Sequence, residues 1–490
     1  MLDWIFYLYL LNTIFMLIIA ISEVRRPAKA LNWLALSLIL PIIGFGLYMS
    51  TTNPLGIRRK RLTSNGDVSN KLPDSFSDSA LVIANALNQF SVHGPRSGRV
   101  QVLINGIETY EKLIESLQNA TSTINLEYFI YRDDQIGRRI TNVLVERAYA
   151  GVRIRFVRDG FGSWNFPRSE IRRMMEAGIE CRTIFPLRFP WILSNWNYRD
   201  HCKIVTIDGD EAFTGGINIG YEYTGLKPNV GFWRDTHLRI EGETSEDLQT
   251  IFDVHWRMAT PEQRKRRGGA KKPRSRVHSV NEAHPKLLTE LGAEFQSKKD
   301  TYRNKSLQKA YVQTLEGNPG LPTPIVRTTY FICLSQANRS VDITTPFFIP
   351  DEDILMAIKT AVARGVRVRL LVPRHVANKI VDSAKRTYYG ELLEAGVHIY
   401  EYDKGMLHAK QMVIDDEIAV VGAANWDMRS FRLNYETCEV IYSDDVVKEL
   451  TRQFEYDLSD SLQVKVDDLV QRSIPQRIIE QGARVFSPLL

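Results

Sequence analysis

Two stretches of this chain carry residues suited to phosphorus chemistry, in the same order. The first is His201-Cys202-Lys203, then Asp208 after four intervening residues, then Gly215-Gly216-Ile217-Asn218. The second is His408-Ala409-Lys410, Asp415, then Gly422-Ala423-Ala424-Asn425, at a constant offset of 207 residues. One histidine in a strand is ordinarily just packed or solvated; two copies with matching tails argue for chemistry. In an alternating strand, His-x-Lys places both side chains on one face. Imidazole and ammonium together suit an anionic phosphate. Imidazole can attack phosphorus or move a proton near neutral pH. Lysine and asparagine can hold non-bridging oxygens and offset charge that develops in the transition state. Two such faces brought together would set histidines on opposite sides of one phosphorus, one as nucleophile and the other as acid. Asp208 and Asp415 stand seven residues after their histidines. At that odd spacing a strand faces them the other way, so they read as structural groups tying the turn that follows.

The elements that must position these faces recur as well. Ile124–Tyr131 reads as a strand; Ile136, Ile140, Val143, Leu144 and Ala148 have helical spacing, with Gly151 placed to end that helix. A strand at Val152–Val157 and a helix at Ile171–Ala177, closed by Gly178, follow. The second half repeats the series: a strand at Val341–Phe348, a helical stripe from Ile354 to Val362 closed by Gly365, and a strand at Val366–Leu370. Glu394-Ala395-Gly396-Val397 echoes Glu176-Ala177-Gly178-Ile179. A repeat of this length is a duplicated domain, and alternating strands and helices predict an α/β layered architecture.

The 490 residues suffice for two or three domains. Net charge is +6, but residues 257–276 alone hold +8, leaving −2 for the remainder. Such a basic run is a solvated segment or a contact for anionic lipid or nucleic acid. Cys181, Cys202, Cys333 and Cys438 show no C-x-x-C spacing, so neither zinc nor a redox pair is expected. Cys202 reads as a small buried filler. Trp4–Ile21 and Leu31–Met49 are apolar runs near the ~20 residues needed to cross a bilayer. They predict a two-span hairpin. Arg25, Arg26 and Lys29 in the connector oppose Arg58–Arg61 beyond the second run; four against three favours a cytoplasmic catalytic part. The expected organisation is a transmembrane hairpin over 1–50, a linker and first small element over 51–100, and a first catalytic domain over 101–258. A basic linker over 259–322 leads to a second domain with a C-terminal tail over 323–490. The aromatic, proline-containing stretch Ile184–Leu193 reads equally as a packed loop or an interfacial one, and Ile474–Leu490 as an amphipathic or a docked tail.

The paired His-x-Lys-x4-Asp pattern resembles the signature of the phospholipase D superfamily, over nearly all of the chain from about residue 100. Closer still is the resemblance to bacterial cardiolipin synthases. It is carried by Arg25-Arg26-Pro27, the Leu40–Tyr48 pattern, Trp233-Arg234-Asp235-Thr236-His237, and Asn425–Phe431 running into Asn434-Tyr435-Glu436. The resemblance implies two similar α/β domains sharing an interface site, a phosphatidyl-histidine intermediate, and no metal or cofactor. It implies His201, Lys203, Asp208, His408, Lys410 and Asp415 as the catalytic signature and Lys203, Asn218, Lys410 and Asn425 as phosphate ligands. Asp235 and Glu436 are implied as the carboxylates that orient imidazole, Asp235 steadying His201. Gly216 and Ala423 stand where the family often has serine, so a hydroxyl contact to phosphate is not expected.

The activity implied joins two phosphatidylglycerols into cardiolipin and releases glycerol, at the bacterial plasma membrane. Anionic membrane lipid is then the expected partner, nucleic acid is not obligatory, and an oligomer stays open. A hydrolase using water as acceptor has the same site. A superfamily nuclease would suit the basic run but not the apolar hairpin, and a membrane-tethered binder with a defunct site would not need the intact paired motif.

Overall fold

A computed structural model describes residues 2–22, 27–52, 72–73, 75–91, 93–187, 197–262, 306–321, 323–376, 378–470 and 480–484. The basic residues at 25–26 and 58–61, the basic run after 262, residues 188–193 of the aromatic stretch and most of the C-terminal tail lie outside them.

The two halves build one sheet with mirrored strand order. In the first half, Glu180–Ile184, Arg153–Asp159 and Thr123–Tyr128 run parallel. Lys203–Ile207, Glu211–Gly215, Thr236–Gly242 and Arg96–Ile104 then follow, each antiparallel to its neighbour. In the second half, His398–Tyr402, Arg367–Pro373 and Ser340–Thr344 are the parallel set. Gln411–Ile414, Ile418–Gly422, Asn434–Tyr442 and Gln308–Gly317 continue antiparallel. The halves join where Arg96–Ile104 pairs antiparallel with Gln308–Gly317, Gly98 opposite Ala310. A mirrored order about an antiparallel central pair is what an internal two-fold produces. The stretch 259–322 is therefore not all linker: its strand Gln308–Gly317, an uninterrupted hydrogen-bonded run, is the innermost strand of the second half.

Local sequence explains the elements. Helix Gln135–Tyr149 starts on Asp134, whose carboxylate accepts from the Ile136 and Gly137 amides. Gly151, Gly178, Gly365 and Gly396 adopt positive φ just past helix ends, where a side chain would strain the backbone. Helices Asn105–Asn119, Gln135–Tyr149 and Arg168–Glu176 cover one face of the first half through Leu113, Ile140 and Met174. On the other face, Leu248, Ile251 and Phe252 of helix Glu243–Met258 share a core with Val446, Val447 and Leu450 of helix Asp444–Ser459. That core spans both halves. Helix Asp78–Asn88, which precedes the first half in sequence, buries Ala80, Ile83, Ala84 and Leu87 in the core of the second.

The two-span hairpin is not supported. Among the described residues no helix is long and apolar enough to cross a membrane. The second apolar run is broken into helices Pro27–Ile39 and Ile43–Thr52, of 13 and 10 residues. Pro41 cannot donate within a helix, and Ile42 adopts φ +64° at the break. At 1.5 Å per residue these pieces reach about 20 and 15 Å, against a hydrocarbon core of about 30 Å. They pack on helix Leu2–Ser22, where Asn12 Nδ2 donates to the Ser37 carbonyl at 3.1 Å and Phe15 stacks on Phe45.

Candidate active site

Each motif histidine stands at the entry to a strand, before Lys203–Ile207 and Gln411–Ile414, and each entry crosses to the opposite half. Arg199–Asp200 pairs parallel with Asn434–Tyr435, and Gly405–Leu407 pairs parallel with Phe232–Arg234. The His201 amide donates to the Tyr435 carbonyl at 2.9 Å, and the His408 amide to the Arg234 carbonyl at 2.7 Å. The residue after each acceptor carbonyl is an acid. The carboxylates therefore arrive crossed: His201 Nδ1 lies 2.9 Å from Glu436 Oε2, and His408 Nδ1 lies 2.7 Å from Asp235 Oδ2. This corrects the expectation that Asp235 steadies His201; sequence distance favours the nearer acid, but the strand crossing brings the other. With Nδ1–H given to a carboxylate, the remaining lone pair of each ring is at Nε2.

The acids are held in turn. Glu436 Oε1 accepts from Ser430 Oγ at 2.8 Å and Asn434 Nδ2 at 3.2 Å. Asp235 accepts the Thr236 amide at 2.9 Å. Arg234, 1% exposed, donates from Nε to both carboxylate oxygens of buried Asp457, at 2.8 and 3.0 Å, fixing the strand that presents both Asp235 and the carbonyl under His408. Burial alone would raise both acids, but His408 and Lys410 beside Asp235, and His201 and Lys203 beside Glu436, bring them below the ordinary carboxylate range. Both remain anionic braces at neutral pH.

Lys203 and Lys410 fold back to donate to the carbonyls of their own histidines, Lys203 at 2.6 Å. Lys410 Nζ also lies 2.8 Å from His408 Nδ1. Burial lowers both ammonium pKa values, that of Lys410 to about 7. His201 is lowered by burial, against the pull of Glu436; burial and Lys410 bring His408 to about 4. Both shifts favour neutral rings. Phe129 meets the His201 ring at 5.0 Å and Trp233 the His408 ring at 5.2 Å, excluding water from their flanks.

The asparagines are brought to the same region in different states. Asn218 is engaged at both ends, accepting the Ile130 amide at 3.1 Å and donating to Tyr223 Oη at 3.2 Å. Asn425 Oδ1 is buried without a hydrogen-bond donor. Asp208 and Asp415 are not in the site and do not tie the turns that follow. The Asp208 carboxylate accepts the amides of Thr121, Ser122 and Thr123 at 2.7 to 2.8 Å. Asp415 accepts those of Asn338, Arg339 and Ser340 at 2.7 to 2.8 Å. Each pins the loop entering a parallel strand, Thr123–Tyr128 in the first half and Ser340–Thr344 in the second. Gly216 has no room for the serine of the family pattern: a Cβ there would stand 2.0 Å from Asp235 Oδ1.

Sequence reasoning missed Ser430, Arg234, Asp457, Phe129 and Trp233 as supports of the histidines. It also missed a buried group of Glu127, Asp200, Cys202 and His255 beneath His201. The spacing of the cysteines could not reveal it, because these four residues come from three separate elements. The only signal was their place: Asp200 and Cys202 flank His201, and Arg234 and Ser430 stand within the segments of family resemblance.

Two α/β halves meeting on a pair of carboxylate-braced histidines define the duplicated class of phospholipase D-like proteins. A family model described as "Cardiolipin synthase, PLD-like domain" matches residues 113–256 and 330–458. The chain is 36% identical over 493 residues to "Cardiolipin synthase" of Geobacillus kaustophilus, covering 98% of this chain and 92% of that one. It is 35% identical to "Cardiolipin synthase 2" of Bacillus anthracis, covering 96% and 88%. The chain belongs to the cardiolipin synthase family. Among solved structures, phosphatidylserine synthase from Haemophilus influenzae Rd KW20 superposes with a TM-score of 0.57 at 15% identity, over 80% of this chain and 95% of that one, a likeness of fold.

Proposed function

We propose that this protein condenses two phosphatidylglycerol molecules into cardiolipin and glycerol through a phosphatidyl-histidine. The observation that carries the reading is the crossed pair of braced histidines with Lys203 and Lys410 beside them. His201 Nε2 attacks the phosphorus of the first phosphatidylglycerol. The bond from phosphorus to the glycerol oxygen breaks, and His408 protonates that oxygen. Glu436 stabilises the charge His201 gains. The hydroxyl of a second phosphatidylglycerol then gives its proton to His408 and attacks phosphorus, breaking the P–N bond and freeing His201. The acid role requires a protonated His408. The incoming phosphodiester supplies the necessary negative charge, working against the burial and the Lys410 ammonium that otherwise hold His408 neutral. Lys203, Lys410 and Asn425 bind the phosphate oxygens, Asn425 through its amide N–H groups.

The N-terminal helices attach the enzyme to the bacterial plasma membrane. Phe6, Tyr7, Leu10, Leu17, Ile21 and Ile39 expose between 48% and 74% of their surface there, which suits lipid better than water. The functional test is lipid analysis after incubating the full-length protein with phosphatidylglycerol. Cardiolipin and glycerol in equal amounts are expected. Phosphatidic acid alone would make water the acceptor and overturn the transferase reading.

A further inference from the structure

The loop that carries His201 rests on a cluster of titratable groups, where the segment under His408 has the buried pair Arg234 and Asp457 instead. Asp200 and Cys202 flank His201, Glu127 comes from strand Thr123–Tyr128, and His255 from helix Glu243–Met258. All four are buried, with one donor atom of each lying within 4.8 Å of the others. His255 Nδ1 is 2.5 Å from Glu127 Oε1, and its Nε2 is 3.3 Å from Glu316 Oε1. Asp200 clamps the backbone on both sides of His201. Its amide donates to Asp159 Oδ2 at 3.0 Å, and its Oδ1 accepts the Cys202 amide at 3.2 Å. Asp159 is itself fixed, accepting the amides of Phe161 and Gly162 at 2.7 and 2.8 Å.

In the second half, Leu407 and Ala409 flank His408. Thr123 and Ser340 give their amides to the corresponding motif aspartates, so the residue four further on is Glu127 in one half and Thr344 in the other. None of the three replacements titrates. Asp200, Cys202 and Glu127 are thus features of the His201 side alone.

Its donor set could hold a metal, but one distance decides otherwise. Metal–ligand bonds of about 2.0–2.3 Å keep two tetrahedral zinc ligands about 3.3 Å or more apart. The 2.5 Å approach of His255 to Glu127 is a charge-assisted hydrogen bond. Burial and Glu127 push Asp200 upward, and Glu127 pushes His255 upward against burial. A neutral Asp200 still accepts from Cys202; its role is that of a hydrogen-bonding wedge, not a charge.

We propose that Asp200, seated on Glu127 and His255, is a positioning residue that fixes the main chain of His201 for attack on phosphorus. This rests on the proposed transferase reading with His201 as nucleophile. The test compares Asp200→Asn with Asp200→Leu in the full-length protein, Leu being what the second half carries. Asparagine keeps an oxygen for the Cys202 amide without a charge, so kcat within about 3-fold of wild type is expected. Leucine removes the oxygen, and a misplaced nucleophile typically costs about 10²-fold, so kcat falls by that order with KM within about 3-fold. Thermal melts establish that each variant is folded; should Asp200→Leu not fold, Asp200→Ala is judged by the same criterion. Retained amide-exchange protection at Cys202 in Asp200→Asn is an independent expected result. A folded leucine variant within 3-fold of wild type, or an asparagine variant as slow as leucine, would overturn the proposal. So would stoichiometric zinc in the purified protein that is lost in Cys202→Ser. Absence of cardiolipin from the wild type in the same assay would instead defeat the transferase reading.

Discussion

Glu436 and His201 belong to opposite halves of the sheet, yet their side chains meet at 2.9 Å, Oε2 to Nδ1. The reciprocal contact joins Asp235 of the first half to His408 of the second. Replacing one acid should therefore disable the histidine of the other half. With Glu436→Gln, formation of the covalent enzyme on His201 should slow by about 10²–10⁴-fold. Glu436 raises the His201 pKa, so its loss should also move the acid limb of kcat/KM to lower pH. Asp235→Asn should spare labelling of His201 by a donor whose leaving group needs no proton. Rapid-quench labelling of both variants checks this, and the opposite pattern would break the crossed assignment.

The two histidines should not be interchangeable. Labelled phosphatidylglycerol, quenched after mixing, should leave label on His201 in the wild type and in His408→Ala. His201→Ala should carry none. Label mapped to His408 in His201→Ala would reverse the roles while preserving a two-histidine mechanism.

Lys410 sets the expected alkaline limb. Its folded pKa is lowered to about 7 by burial, so the ammonium is present below that pH and lost above it. With the His408 proton already scarce above about 4 in the free enzyme, kcat/KM should fall more steeply as pH rises through about 7, where the Lys410 charge is lost as well. Arginine stays charged throughout this range. Lys410→Arg should be slower for reasons of shape, and its profile should lack the limb near 7. A limb unmoved in Lys410→Arg would assign it to another group.

Asp208 is a matter of stability. Burial opposes ionisation, but amide donors from Thr123, Thr121 and Ser122 prevail and hold its pKa below the usual range. A depressed folded pKa contributes stability present above the unfolded value, about 3.9, and lost as pH falls below it. Asp208→Ala should destabilise the protein by about 2 kcal/mol or more, since hydrogen bonds to charged groups contribute about 1.5–3 kcal/mol each. The loss should shrink below pH 4. Denaturant melts at pH 7 and pH 3.5 measure it, and equal losses at both would refute the clamp.

The N-terminal helices should act as an attachment. Deleting residues 1–50 should weaken membrane binding in flotation assays while leaving some activity in detergent–lipid micelles. A folded truncation with no activity would place these residues in the working site.

Much of the fold was legible because its signals are local. Gly151, Gly178 and Gly365 marked helix ends, and the repeated strands showed the duplication before any coordinate did. The site was half legible. His201 and His408 stood out through their repeat, but that Glu436 serves His201 depends on a strand crossing that leaves no trace in spacing. Gln308–Gly317 was hidden in a stretch dominated by basic composition. The apolar run from Leu31 was read whole because hydropathy averages over Pro41, and a hydrogen bond lost at one proline does not. The cluster under His201 was invisible for a plainer reason: Glu127 and His255 are 128 residues apart.

The exchange of carboxylates between halves has a hereditary consequence. A substitution at Glu436 is felt at His201 and one at Asp235 at His408, so neither half can lose its acid without maiming its twin. The duplicated copies are free to diverge around the histidines, as Asp200 and Leu407 have, but are locked together at the acids. A gene cut between the halves would yield two polypeptides, each inert alone, whose activity returns only when they meet.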